Sequence, residues 1–233
     1  MAVESIVDGV YQIGSAPVNS FLIDGDEGIV LVDTGLPRTE GLIAKALAGI
    51  GRSVGDVTAI VLTHSHNDHT GNAAAVKDES GAEVYASRAD APAIQGEEKT
   101  PAPPVPFYAL PFKWLVQVLP RAHPVTVDHL VTEDPKLHLP GGLRPLDTPG
   151  HTPGHTSYLL GRGGGVAFVG DAAKATKSGQ VVRGYFNRST PLIDASIRHL
   201  AEQDFGVAVF GHSPSIRSGA AGAFRQLVES IAD

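Results

Sequence analysis

The feature of the sequence that most constrains the fold is a set of short apolar runs without polar alternation. Residues 57–63, VTAIVLT, form the clearest run, and this pattern is typical of a strand buried on both faces of a sheet. Similar runs recur at residues 28–33, 165–171 and 206–212. Apolar residues at helical spacing occur between them, at residues 38–50, 190–201 and 218–231. Because a sheet buried on both faces needs covering layers, an α/β fold is predicted.

Length and composition indicate one globular domain. The 233 residues allow one large core but are few for two, so residues 1–233 are treated as a single domain. The sequence shows neither a membrane-spanning apolar run nor the pattern of a secretory signal, so we expect a cytoplasmic protein without a membrane partner. The net charge of −7 and the lack of a basic cluster argue against a nucleic-acid partner.

Three histidines and an aspartate directly follow residues 57–63, within the stretch HSHNDH. The chain has no cysteine, so any metal ion must be held by nitrogen and oxygen ligands. In a loop, His64 and His66 can turn toward one ion, while Asp68 and His69 face a second ion. Three imidazoles crowded together would have little to stabilise them without a metal. Metal binding is therefore predicted.

Further candidate ligands follow the later apolar runs. The stretch PGHTPGHT supplies His151 and His155, and Asp171 and His212 come directly after two other predicted strands. Because open α/β folds place their sites where the ends of strands meet, we expect these side chains to converge on one rim of a sheet.

These motifs resemble those of the metallo-β-lactamase-fold metallohydrolase superfamily. The stretches THSHNDHTGN, TPGHTPGHT, FVGDA and VFGHS, preceded by LVDTG at residues 31–35, occur in the order found in that family. The match covers about residues 10–215, nearly the whole chain. The resemblance implies a four-layer αββα sandwich with two metal ions on one edge.

The resemblance also implies roles for individual residues. The implied ligands are His64, His66 and His151 for the first ion, Asp68, His69 and His212 for the second ion, and Asp171 as a bridge between them. Asp33 is implied to support a ligand by accepting a hydrogen bond. His155 is expected to be a hydrogen-bonded structural histidine.

The implied reaction is hydrolysis of an ester-type bond in a small-molecule substrate. Two divalent ions, zinc foremost with iron or manganese as alternatives, would lower the pKa of a bridging water toward 7 and so provide hydroxide at neutral pH. Asp68 is the candidate catalytic proton carrier to the leaving group. Lactone, thioester, ester and phosphodiester bonds all stay open. An acyl-homoserine lactonase specifically, a mononuclear iron persulfide dioxygenase, and a binding protein with a vestigial site are the alternatives.

Several family members fit the sequence less well. β-Lactamases place cysteine or serine where this chain has Asp171, and flavodiiron proteins place glutamate where it has His66. Only 21 residues follow His212, so the helical domain of glyoxalase II is not expected. Transfer-RNA processing nucleases need a basic surface. In lactonases a tyrosine usually follows the bridging aspartate by three positions, and Lys174 occupies that position here.

Two segments are predicted to select the substrate. Residues 92–136 form a proline-rich apolar insertion that contains Trp114, and a packed loop, a lid and a dimer contact are all compatible with it. Because an exposed apolar insertion is often buried in a dimer, we predict a homodimer. Residues 172–190 are either a solvated loop or a substrate contact, with Lys174, Tyr185 and Phe186 as candidates. The basic residues favour an anionic substrate and Trp114 an apolar one, and both stay open.

Overall fold

The computed structural model describes residues 3–13, 17–99, 120–134 and 139–231. Within these ranges the strands are β1 (Val3–Val7), β2 (Val10–Ile13), β3 (Ser20–Gly25), β4 (Gly28–Val32), β5 (Val57–Val61), β6 (Glu83–Ser87), β7 (His129–Val131), β8 (Leu143–Asp147), β9 (Thr156–Leu160), β10 (Val166–Phe168), β11 (Ala173–Ala175), β12 (Val181–Arg183) and β13 (Val207–Val209). The α-helices in the same ranges are α1 (Glu40–Gly49), α2 (Asn67–Thr70), α3 (Ala73–Ser80), α4 (Ala91–Ile94), α5 (Thr190–Ala201) and α6 (Ala220–Ser230). None of these described helices has the length and apolar character needed to cross a bilayer.

The described strands form two large sheets and a separate hairpin. The first sheet has the order β1-β2-β3-β4-β5-β6-β7, antiparallel from β1 to β4 and parallel from β4 to β7. The second sheet has the order β13-β10-β9-β8, in which β10 and β13 are parallel and the other neighbours antiparallel. Strands β11 and β12 pair only with each other among the described strands.

The first sheet is buried on both faces, as the apolar runs predict. Successive side chains of a strand point to opposite faces, and β3 shows the result. Phe21 packs in the cluster between the two sheets, whereas its neighbour Leu22 joins the cluster that contains Leu47 of α1 and Val76 of α3. The side chains of β5 are distributed between the same two clusters. The helices α1 and α3 therefore cover the outer face of this sheet.

The second sheet repeats this arrangement on the other side of the molecule. Tyr158 of β9 lies in the cluster between the sheets, and the adjacent Leu159 joins the cluster that contains Ile197 of α5 and Phe224 of α6. The layers thus follow the order helix, sheet, sheet, helix. The predicted four-layer αββα sandwich is confirmed.

Two segments contain strands that the sequence analysis treats as loops. Strand β7 lies inside the insertion 92–136 and extends the first sheet by pairing with β6. The segment 172–190 contains the β11–β12 hairpin, so it is not a loop throughout, although residues 177–180 are exposed. Each of these strands has three residues, which is too short for an apolar period to be recognised. Trp114 and the central part of the insertion lie outside the described residues.

Candidate metal centre

Four loops that follow buried strands bring the predicted ligands together. The loop after β5 carries four of these side chains and runs into α2, and the loops after β8, β10 and β13 carry His151, Asp171 and His212. Because each loop begins where its strand ends, the two sheets fix the starting points of all four loops. The side chains form three groups among the described residues, and the ligand atoms of each group lie within 4.8 Å of one another. Two groups share no member, and the third joins them through His64, His69 and Asp171.

His64, His66 and His151 form the first group. His66 Nδ1 lies 3.0 Å from His64 Nε2 and 2.9 Å from His151 Nε2. In two of these rings the nitrogen that points away from the group, called here the outer nitrogen, donates a hydrogen bond. His64 Nδ1 donates to Thr63 Oγ1 at 3.0 Å, and His151 Nδ1 donates to the carbonyl of Tyr185 at 3.1 Å. The inner nitrogens, which point into the group, therefore present lone pairs to a common point, which is the arrangement of metal ligands.

Asp68, His69 and His212 form a second group. His212 Nε2 lies 3.3 Å from His69 Nε2 and 3.3 Å from Asp68 Oδ2. The outer nitrogens again have acceptors, because His69 Nδ1 donates to Asp33 Oδ2 at 2.8 Å and His212 Nδ1 donates to the carbonyl of Pro17 at 2.9 Å. The inner nitrogens are thus left to face the carboxylate of Asp68 and each other.

Asp171 lies between the two groups. Its Oδ2 is 3.4 Å from His151 Nε2 and 3.2 Å from His212 Nε2, and its Oδ1 is 3.5 Å from His69 Nε2. Oδ1 is buried and has no hydrogen-bond partner among the described residues. A buried carboxylate oxygen without a partner is costly unless a cation lies beside it. The imidazoles and carboxylates therefore form groups that could hold a metal ion.

The charges of the second group show the same demand for a cation. Burial alone would lower the pKa of His212, but the carboxylates of Asp171 and Asp68 outweigh it and raise that pKa to about 11. Burial would also lower the pKa of His69, but the neighbouring carboxylates, Asp171 foremost, outweigh it and raise that pKa to about 9. In the first group, burial lowers the pKa of His66 to about 4. Positive charge is therefore favoured next to the aspartates, where bound cations would supply it.

Asp33, at the end of β4, supports ligands of both groups. In addition to the His69 ring, it accepts hydrogen bonds from the backbone N–H and the hydroxyl of Thr63, each at 2.8 Å. Because the Thr63 hydroxyl donates to Asp33, its oxygen is left to accept the Nδ1–H of His64. Asp33 thus orients the His69 ring directly and the His64 ring through Thr63, and these contacts match its predicted supporting role.

His155 is not available as a ligand. Its Nε2 accepts the backbone N–H of Asp171 at 2.9 Å, and its Nδ1 is 2.9 Å from Thr148 Oγ1. The ring is buried in a position behind the centre, where it holds the backbone of the bridging aspartate. These bonds are those of the hydrogen-bonded structural histidine that the sequence predicts.

Several groups that hold the centre together escape sequence reasoning. Asn19 donates from Nδ2 to the carbonyls of Phe210 and Ser213, at 2.8 and 3.1 Å, and so fixes the loop of His212. The carbonyls of residues 17 and 185 orient ligand rings, and a backbone carbonyl has no sequence signature. Asp90 directly precedes the helix α4 and resembles a helix cap, but its buried carboxylate contacts two ligand loops.

The candidate substrate residues lie beside the first group. Lys174 Nζ lies 3.1 Å from the centroid of the Tyr185 ring, and 59% of Tyr185 is exposed. The ring of Phe186 is 6.0 Å from that of Tyr185. Because the Tyr185 carbonyl accepts the Nδ1–H of His151, the hairpin and the following turn border the centre. The predicted contact of Trp114 lies outside the described residues.

Comparison with known families and structures identifies relatives of this chain. The family model described as the metallo-beta-lactamase superfamily matches residues 13–212, a range that contains all the side chains of the three groups. A solved metallo-β-lactamase with a HARLDQ motif from Cronobacter sakazakii is 28% identical, with a TM-score of 0.70. The alignment covers 91% of this chain and 78% of that one.

Two curated relatives differ in how much of their length is matched. The protein YybB of Bacillus subtilis, named a probable metallo-hydrolase, is 34% identical over 143 residues, or 61% of this chain and 56% of YybB. An N-acyl homoserine lactonase of a Bacillus species is 26% identical over 225 residues, or 84% of this chain and 81% of the lactonase. The chain thus spans little more than half the length of the first of these relatives.

Proposed function

Since the chain belongs to the metallo-β-lactamase superfamily, we propose that it is a metal-dependent hydrolase with two metal ions. The observation that carries this proposal is the set of ring nitrogens that face one another beside Asp171 Oδ1, which has no hydrogen-bond partner among the described residues. The ligands would be His64, His66 and His151 for the first ion, Asp68, His69 and His212 for the second, and Asp171 for both. Zinc suits this donor set best, and iron or manganese would also fit.

Asp68 is the residue best placed to move a proton. Bound ions would supply the Lewis acidity that activates water and polarises an ester-type bond. Burial alone would raise the pKa of Asp68, but the hydrogen bond from His212 and the charge of His69 lower it to about 2, so the carboxylate is ionised at neutral pH. About a third of its side chain is exposed, 33%. We propose that this ionised and partly exposed carboxylate carries a proton to the leaving group.

The substrate class proposed is a small molecule with an ester-type bond. The similarity to an N-acyl homoserine lactonase extends over most of both chains, which favours a lactone as the first substrate to test. Thioesters, open esters and phosphodiesters belong in the same screen, because the ligand set alone does not distinguish them.

Lys174 and Tyr185 are proposed as substrate contacts, together with Phe186. The ammonium of Lys174 lies over the exposed ring of Tyr185, so the pair presents a positive charge and an aromatic surface at the border of the centre. The charge would attract an anionic group of the substrate, and the rings would contact an acyl chain.

The test begins with the metal content of protein purified without added metal, measured by elemental mass spectrometry. We expect about two ions per chain and hydrolysis of at least one substrate in the screen. Asp171→Ala should lose the second ion and most of the activity. Asp78→Ala, on an exposed face of α3, should keep two ions and full activity.

Full activity in Asp171→Ala would contradict the two-ion proposal. One iron per chain with oxygen consumption on a persulfide would instead identify the dioxygenase.

A further inference from the structure

Asp90 is a buried aspartate whose side chain does not perform the task that its sequence position suggests. It occupies the N-cap position of α4, just before Ala91 and Pro92, where an aspartate commonly caps the helix. The Asp90 side chain makes no cap hydrogen bond, and only 2% of the residue is exposed. Its carboxylate is directed instead to contacts outside its own helix.

This carboxylate joins two of the loops that carry candidate ligands. Its Oδ2 accepts the backbone N–H of Ser65 at 2.8 Å and the hydroxyl of Thr152 at 2.7 Å. Its Oδ1 accepts the backbone N–H of Gly154 at 2.8 Å. Ser65 lies between two ligands of the first group, and Thr152 directly follows the third. One carboxylate therefore fixes the separation of the two loops that supply the first group.

The packing around Asp90 leaves little room for the loops to adjust. A Cβ atom at Gly154 would overlap both Ser87 Oγ and Asp90 Oδ1. Thr152 and Ser65 are 1% and 2% exposed. Because interiors packed this closely transmit small displacements rather than absorb them, a change at Asp90 should reach both loops.

The second group depends on different contacts. His69 is held by Asp33, and His212 by the carbonyl of Pro17. None of the three hydrogen bonds that Asp90 accepts comes from the segments 17–19 or 210–213. Asp90 therefore contacts the second group only indirectly, because Asp68 and His69 follow Ser65 in the same loop and His155, next to Gly154, holds the backbone of Asp171.

We propose that Asp90 is a positioning residue that sets the affinity of the first metal ion more strongly than that of the second ion. It acts by holding the loop of His64 and His66 against the loop of His151. The inference rests on the two-ion function proposed above. Supports of this kind typically change metal affinity by about 10–100-fold when they are removed.

The experiment measures zinc affinity of the metal-free protein by competition with a chromogenic chelator, in two backgrounds. His212→Ala leaves the ligands of the first group intact, and His151→Ala leaves those of the second. Asp90→Asn keeps the size of the side chain but turns an amide N–H₂ toward at least one of the three donors. We expect about 10–100-fold weaker binding in the His212→Ala background and a clearly smaller change in the His151→Ala background.

Matched variants and outcomes keep the inference distinct from a general loss of stability. Thr152→Val removes one of the three donors to Asp90. In the His212→Ala background it should weaken zinc binding, by less than Asp90→Asn does. It therefore replaces Asp90→Asn in the test if that variant does not fold. Asp78→Asn, on an exposed helix face, should change neither background. Equal weakening in both backgrounds, or none in either, would overturn the role of Asp90. A wild-type protein that binds a single ion would instead refute the two-ion function.

Discussion

Asp33 shows how individual residues are adapted to the centre. It has a φ of +56°, a left-handed conformation that aspartate tolerates better than most residues with a side chain. Such a conformation costs on the order of 1–3 kcal/mol and persists where the surroundings require it. Here it allows one buried carboxylate to contact both Thr63 and the ring of His69. The strain is thus located where a candidate ligand is oriented.

Gly211 allows a test of how closely the centre is packed. A Cβ atom at this position would overlap Asp171 Oδ1 and the ring of His69. Gly211→Ala should therefore weaken metal binding by about 10–100-fold, measured by competition with a chelator. Gly222→Ala is the matched control. Gly222 lies in α6, and a Cβ atom at this position meets nothing within 4 Å. Because alanine favours a helix more than glycine does, this variant should raise the free energy of unfolding by about 0.5–1 kcal/mol and leave metal binding unchanged. Equal metal affinity in both variants would refute the close approach at Gly211.

Lys174 tests the proposed substrate contact. Lys174→Met removes the charge over the Tyr185 ring but keeps a side chain of similar length. We expect the KM for an anionic substrate to rise several-fold to tenfold, which corresponds to about 1 kcal/mol of binding free energy. The KM for the neutral analogue of that substrate should change little. Lys177→Met, an exposed residue at the turn of the same hairpin, is the control and should behave as wild type. An equal rise in KM for both substrates in Lys174→Met would count against charge recognition.

At the scale of elements, α5 is tied to the edge of the second sheet by a histidine. His199 Nε2 lies 2.8 Å from Glu133 Oε1, and Glu133 also accepts the backbone N–H of Asp147 in β8. Burial alone would lower the pKa of His199, but the hydrogen bond and charge of Glu133, aided by Glu202, raise it. The pair therefore connects a helix, a strand and the segment after β7.

The raised pKa of His199 predicts a dependence of stability on pH. Because the folded pKa exceeds the unfolded value, the stabilisation is complete below about pH 6.5 and is lost as the pH rises through the folded pKa. The side chain is about one-third exposed, 34%, so solvent screening limits the effect to about 0.2–1 kcal/mol. Urea unfolding should show a larger loss for His199→Gln at pH 6 than at pH 9. A loss of stability that is independent of pH would contradict the assignment.

At the scale of the whole molecule, the centre lies where loops from both sheets meet. Bound ions would therefore connect the two halves of the sandwich and stabilise the folded state. At a free metal concentration of 1,000 times Kd, one site contributes about 4 kcal/mol to the free energy of unfolding. Treatment with a chelator should lower the urea midpoint of the wild type by a corresponding amount. The chelator should lower the urea midpoint of Asp171→Ala by a smaller amount. Identical urea midpoints of the wild type with and without chelator would refute metal binding to the folded chain.

Much of this architecture can be predicted from the sequence because its signals are local. In the run of residues 57–63, Val57 and all of residues 59–62 are apolar and buried, so the two-sided burial of β5 follows from the run alone. The ligand motifs are also local, since each is a short stretch directly after a strand. The hairpin β11–β12 and the strand β7 are not predictable in this way, because three residues contain too little of an apolar period.

The short motifs after each strand specify which side chains are offered to a metal and the order in which the strands carry them. The contacts that hold those side chains in place are specified only by the fold. Pro17 and His212 are 195 positions apart, and Asp90 and Thr152 are 62 apart. Contacts of this kind depend on where two sheets and their loops meet in space, and the letters at either end do not encode the meeting. For the same reason Asp90 resembles a helix cap in the sequence and joins two ligand loops in the folded protein.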